Sequence, residues 1–236
     1  MSETSSQRAL PGCFIVFEGI DGCGKTTQLQ HLFQWLQEKP ESLFPPDVAL
    51  PPLLQTREPG ATELGKQLRS LLLQTNWTTS PPDPKAELLL YAADRAQHVQ
   101  QVLAPHLHQG GWILCDRHVD STVAYQGYGR GLDLALIEQL NAIATAGLVS
   151  TLTFWIDVPV AVAQDRLQQR YQQRSSVTAD RMEANDLPFH QRVYQGFATL
   201  AAQAPQRIVR VDGNREPETI AKDIQGIAQE RLGKSG

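Results

Sequence analysis

Gly19-Ile20-Asp21-Gly22-Cys23-Gly24-Lys25-Thr26 decides how the rest of the chain is read. The octet satisfies G-x-x-x-x-G-K-[ST], follows the apolar run Cys13-Phe14-Ile15-Val16-Phe17 and leads into a segment of helical period. Strand, glycine-rich turn and helix in that order make a cradle for phosphate. The glycines let the backbone turn tightly so that several N–H groups point inward, and the helix adds the positive end of its dipole. Gly19, Ile20, Asp21, Gly22, Cys23, Gly24, Lys25, Thr26 and Thr27 are therefore expected to hold a nucleoside triphosphate. Lys25 reaches the β/γ-phosphates as a point charge, and the Thr26 hydroxyl is a ligand for Mg²⁺.

Outward from that loop, short β-type runs recur at 13–18, 53–57, 112–115, 152–156 and 207–211, each bounded by Gly, Pro or polar residues. Helical patterns lie between them. Leu29, Leu32, Phe33 and Leu36 keep the i, i+3, i+4, i+7 rule, Leu64, Leu68, Leu71 and Leu72 repeat it after Thr62 as N-cap, and Ile220, Ile224 and Ile227 close the chain. Strands alternating with helices predict an α/β, three-layer P-loop NTPase fold: a five-stranded parallel sheet with helices on both faces and ligands at the carboxyl ends of the strands. The division expected is an N-terminal tail, 1–12, and a single domain, 13–236. Pro40, Pro45, Pro46, Pro51 and Pro52 make 39–52 an irregular surface insertion, because proline continues neither a helix nor a central strand. A second loop is expected at 75–84.

Composition narrows the partners. A formal net charge of −4, with Lys and Arg scattered, leaves no basic stripe for duplex nucleic acid. Cys13, Cys23 and Cys115 are an odd number without metal-ligand spacing, which fits reduced thiols in the cytoplasm. No apolar run approaches the roughly 18 residues that a membrane span needs. A small anionic ligand is the better partner.

The other half of a phosphoryl-transfer site needs a magnesium carboxylate at the end of a buried strand. Asp116 follows Gly-Gly-Trp-Ile-Leu-Cys in that way, so Thr26 and Asp116 are the candidate metal pair. Arg117 comes next, which suits a second phosphate held beside the first. No Asn-Lys-x-Asp or Thr-Lys-x-Asp guanine reader occurs, against a GTPase.

Taken in order, Glu18 to Thr27, Thr56-Arg57-Glu58-Pro59-Gly60, Leu68-Arg69-Ser70-Leu71-Leu72-Leu73, Tyr91-Ala92-Ala93-Asp94-Arg95, Asp116-Arg117-His118, Ser121 to Gly127 and Asp180-Arg181-Met182-Glu183 resemble the thymidylate kinase (dTMP kinase) family. The match runs from about Phe14 to the C-terminus, in the bacterial-type form with glycine in the phosphate loop and arginines in a lid. The resemblance implies ATP and dTMP as substrates, Mg²⁺ as cofactor, a homodimer, and acceptor binding by Arg57, Glu58, Pro59, Arg69, Tyr91, Arg95, Arg117, Ser121, Thr122, Tyr125 and Gln126. In it Tyr91 stacks on thymine, Arg95 donates to O4, Thr122 and Gln126 bind the base edge, and Tyr125 stands where a ribose 2′-OH would go. Asp21 is expected near the sugar 3′-hydroxyl, and Glu58-Pro59 as a cis peptide. Lys25, Asp21, Arg117 and the lid arginines Arg170 and Arg174 form the catalytic set, with the lid at about 166–185 and Arg174 favoured over Arg170. Arg166, Arg170 and Arg174 recur at i+4 intervals. An acceptor phosphate is already ionised near neutrality, so His118 need not be a base. Two departures stand out: Ala61 replaces a glycine usual after Arg-Glu-Pro-Gly, and Tyr91 stands where phenylalanine is commoner. A kinase of another deoxynucleotide, a deoxynucleoside kinase and a nucleotide-dependent switch remain alternatives.

Overall fold

A computed structural model describes residues 12–44, 50–75, 77, 80–173 and 179–233. Its strands are β1 (Cys13–Glu18), β2 (Leu53–Arg57), β3 (Trp112–Asp116), β4 (Leu152–Asp157) and β5 (Ile208–Asp212), in one parallel sheet of order β2-β3-β1-β4-β5. Burial follows that order. Every residue of central β1 and of β4 is buried, whereas edge strand β2 is half covered. The expected fold class holds, with strand ends displaced by a residue at β3, β4 and β5.

The helices are α1 (Lys25–Glu38), α2 (Glu63–Leu73), α3 (Pro84–His98), α4 (Ala104–His108), α5 (Val119–Thr122), α6 (Leu134–Thr145), α7 (Val160–Gln173), α8 (Leu187–Gln203) and α9 (Pro217–Leu232). A π-helical stretch, Val99–Leu103, joins α3 to α4, and another, Val123–Gly129, continues α5. Pro105 accounts for the first, since its ring collides with the carbonyl four residues back and it has no N–H to give. Period-two alternation in β1 builds two cores. Cys13, Ile15 and Phe17 pack with Leu29 and Leu32 of α1 and Ile220 and Ile224 of α9, while Phe14 and Val16 face Val99 and Leu103 on the other side. Truncating a fully buried Leu29 or Leu32 to Ala costs about 2–5 kcal/mol.

Local signals behave as their chemistry requires. The Thr62 hydroxyl accepts from Gly65 N–H at 2.9 Å and starts α2. Of the stripe expected there, only Leu68 and Leu72 are buried; Leu64 and Leu71 are exposed, because α2 leans chiefly on one neighbour, α3. The proline-rich insertion also differs from expectation. After a short 3₁₀ turn at Pro40–Ser42, Leu43 and Phe44 are buried, and the Phe44 ring meets Trp112 edge-on at 4.8 Å. Part of the segment therefore plugs the core; Pro45 and Pro46 lie outside the described residues.

Candidate active site

Parallel strands end together, so the carboxyl ends of β1, β2 and β3 open on one crevice. A cavity of about 870 Å³ lies there, lined among others by Asp21, Lys25, Thr26, Arg57, Arg69, Tyr91, Asp116, Arg117 and Arg170. Its size suits small-molecule ligands.

The donor side is the phosphate loop. Gly24 caps α1 at φ 93°, and Lys25 and Thr26 of the first turn line the cavity, which puts the helix N-terminus at its wall. Lys25 lies 3.5 Å from Asp21. Burial works against ionisation of Asp21, but the Arg117 and Lys25 charges outweigh it and hold the carboxyl well below the usual range.

The Thr26 hydroxyl donates to Asp116 Oδ2 at 2.5 Å, and Asp116 Oδ1 is buried without a partner among the described residues. An orphaned carboxylate oxygen beside a phosphate-loop hydroxyl fits Mg²⁺, which takes one or two protein oxygens and completes its shell with waters and substrate phosphates.

Three further arginines line the same cavity. Arg57 ends β2, Arg69 stands on α2, and Arg117 follows β3. Arg69 donates to the Pro59 carbonyl at 3.0 Å; burial, then the charge of Arg57, lowers its pKa. Arg117 is held at φ 72° and donates to Gly19 O at 2.8 Å, Ser121 Oγ at 2.9 Å, Asp21 Oδ1 at 2.5 Å and Tyr125 Oη at 3.1 Å. Tyr125 in turn donates to Asp21 Oδ2 at 2.8 Å. The Glu58-Pro59 peptide is cis, as expected.

Three side chains expected against the substrate are largely engaged with the protein. Arg95 is 2% exposed and donates to Glu58 at 2.9 Å, Asn141 at 2.7 Å, the His118 carbonyl at 3.1 Å and Thr122 at 2.9 Å. Four of its five N–H groups are thereby used, leaving one for a base. Glu58 turns its carboxylate into the protein, accepting also from His98 at 2.9 Å. Burial opposes its ionisation, yet His118, Arg95 and His98 hold it down at about 2. Gln126 gives its amide to buried Glu87 at 2.7 Å, which leaves the amide oxygen. Tyr91, Ser121 and Thr122 line the cavity.

Arg166 and Arg170, expected as lid arginines, are not equivalent. Arg166 donates twice to the Gly213 carbonyl at 3.1 Å, away from an even row of three. Arg170 reaches Glu183 Oε1 at 2.6 Å and lines the cavity, while Arg174 lies outside the described residues. Sequence reasoning missed Glu18, Glu87, Asp94 and Glu183 as supports. The first three carried one readable signal, a carboxylate set within an apolar strand or on the inner face of a helix, where acids occur only when paired.

A phosphate loop after the central strand of this parallel sheet, with three arginines lining the same cavity, defines a P-loop NTPase. The thymidylate kinase family model matches residues 17–224. Thymidylate kinases of Acaryochloris marina and a Cyanothece species are 52% and 54% identical, each alignment covering 94% of this chain and 97% and 96% of the relative. The crystal structure of thymidylate kinase from Ehrlichia chaffeensis superposes with a TM-score of 0.69 at 32% identity, over 93% of this chain and 99% of that one. The chain belongs to the thymidylate kinase family. No helix among the described residues is long and apolar enough to cross a membrane.

Proposed function

We propose that this cavity holds ATP and dTMP phosphate to phosphate, with each residue assigned as follows. The protein is an ATP-dependent dTMP kinase: an ionised 5′-phosphate oxygen of dTMP attacks the γ-phosphorus of ATP, the bond to the bridging oxygen breaks, and dTDP and ADP leave, dTDP serving dTTP synthesis. Such transfer needs positioning and charge neutralisation more than covalent help. Lys25 and the loop amides Gly19 to Thr27 take the donor phosphates, Arg57, Arg69 and Arg117 take the acceptor phosphate, and Arg170 or Arg174 meets the transferring group from the lid at about 166–185. Thr26 and Asp116 would hold Mg²⁺, which supplies charge neutralisation on the phosphate oxygens. Tyr91 stacks on thymine, the remaining Arg95 N–H, Thr122 and the Gln126 oxygen read its edge, and the Asp21-bound Tyr125 occupies the space of a 2′-hydroxyl. Glu58 and Pro59 shape the turn that presents Arg57, and Ser121 orients Arg117.

A single catalytic domain over 13–236 suits the one sheet and its shared cores. A homodimer is supported by α2, α3 and α6, which pack side by side and expose Leu64, Leu71, Leu89, Leu136 and Ile143. A cytoplasmic setting suits the free, buried thiols of Cys13, Cys23 and Cys115.

The observation carrying these assignments is that Lys25 and the Arg57, Arg69 and Arg117 group line one cavity. ADP release with ATP and magnesium, measured against dTMP, dUMP, dCMP, dGMP, AMP and thymidine, tests them. dTMP should give the highest kcat/KM and thymidine none. Hydrolysis unstimulated by any monophosphate would return the site to a nucleotide switch.

A further inference from the structure

Glu18, the last residue of β1, is 0% exposed, and no role in nucleotide binding follows from its place in the sequence. A carboxylate is costly at such a position unless its oxygens are fully used. Its oxygens accept from the His118 N–H at 2.8 Å, the Ser121 N–H at 3.2 Å and the Ser121 hydroxyl at 2.5 Å. Both amides follow Arg117, whose φ of 72° is a conformation that a side chain resists and that its surroundings must impose. The Ser121 hydroxyl, having given its hydrogen to Glu18, can only present lone pairs, and Arg117 Nη1 donates into one at 2.9 Å. Glu18 thus grips Arg117 by its backbone, through the turn that follows, and by its guanidinium, through Ser121.

We propose that Glu18 is a positioning residue for phosphoryl transfer, fixing Arg117 so that its guanidinium meets the acceptor phosphate. This rests on Arg117 as a ligand of that phosphate. The charged groups facing Glu18 are Asp120 and Arg117, with Arg207 beyond, itself bound to Asp120 at 2.7 and 2.8 Å. Burial first, then Asp120, pushes the Glu18 carboxyl up to about 7. A folded-state pKa above the ordinary 4.5 means that this group's contribution to stability is present below that value and lost as pH rises through about 7. The ionised acceptor is therefore kept at a cost to the fold, a pattern expected of a functional group rather than a purely structural one.

The test uses the full chain with Glu18→Gln, Ser121→Ala and the double variant, reading dTMP kinetics and Tm at pH 8. Glu18→Gln should lower kcat/KM for dTMP by about 10–100-fold, the scale of a misplaced catalytic contact, with Tm equal to or above wild type. Ser121→Ala should do the same in part, and the double variant should lose less than the product of the singles. Unaltered dTMP kinetics in Glu18→Gln, additive losses, or a loss matched by a falling Tm would each overturn the proposal. Arg117→Lys separates the two levels. Unchanged dTMP kinetics there would end the assignment of Arg117, whereas a crippled Arg117→Lys beside a normal Glu18→Gln would end this inference alone.

Discussion

Gly22 and Ala163 meet backbone to backbone: a Cβ at position 22, where φ is +81°, would lie 2.3 Å from the Ala163 carbonyl oxygen. The phosphate loop is thereby seated on α7, the helix that leads into the lid. Gly22→Ala should lose about 1–2 kcal/mol from the left-handed backbone and a further 1–3 kcal/mol or so from overpacking. A Tm lower by roughly 4 °C or more, with a raised KM for ATP, is the expected result. For the same reason, arginine at position 22 should not replace a lost lid arginine. A Gly22→Ala enzyme with wild-type Tm would show that loop and lid helix move apart freely.

Asp116 has one oxygen on Thr26 and one buried without a donor among the described residues. Asp116→Asn keeps the shape and removes the charge. The magnesium concentration for half-maximal rate should rise about tenfold or more, and saturating magnesium should recover part of kcat. An unchanged magnesium titration would take Asp116 out of the metal site.

Arg95 anchors Glu58 and Thr122 and, in the proposed arrangement, also reads the base. Removing it altogether leaves buried Glu58 without its arginine partner, a cost of up to about 3–5 kcal/mol, so Arg95→Ala would mix unfolding with recognition. Arg95→Lys retains the charge and loses the planar fork. We expect a higher KM for dTMP and a smaller preference over dCMP, with kcat less affected, read from the two kcat/KM values. Equal preference before and after would leave the base edge to Thr122 and Gln126.

Glu58 gives the acid limb of stability. Its folded value of about 2 lies below the ordinary 4.5 because His118, Arg95 and His98 overcome burial. Its contribution is full above about 4.5 and is lost as pH falls from there toward 2. Tm should therefore drop steeply across that window, and Glu58→Gln, already weaker at pH 7, should follow a flatter slope. Parallel slopes would place the acid sensitivity elsewhere.

What could be read without coordinates was whatever local chemistry dictates. The phosphate loop, the Thr62 cap and the apolar run of β1 each express a rule acting over a few residues, and they carried the sheet and the donor site. Leu64 and Leu71 keep the helical period yet are exposed, because periodicity says that a helix has an apolar stripe but not how many neighbours cover it. Phe44 was misread as surface because prolines mark irregular backbone without saying what an intervening aromatic side chain packs on. Arg95 and Glu58 are both expected at the acceptor, yet their mutual ion pair at 2.9 Å spans 37 residues of sequence and leaves no local trace.

Arg166 and Arg170 differ in what holds them, and variants along the 166–174 row should differ accordingly. Arg166 is bonded to the Gly213 carbonyl, so Arg166→Ala should alter stability or ATP affinity and leave kcat near wild type. Arg174→Ala should lower kcat by about 10² or more, toward the effect of an arginine finger, with KM for dTMP nearly constant, since the lost contact forms only as the phosphoryl group transfers. Arg170 already lines the cavity, 44% exposed and steadied by Glu183, and it is the alternative bearer of that role. Unchanged kcat in Arg174→Ala together with a hundredfold loss in Arg170→Ala would assign the transition-state charge to Arg170. Normal kcat in both would mean that Lys25, Arg117 and magnesium suffice, and that the lid serves only to exclude water.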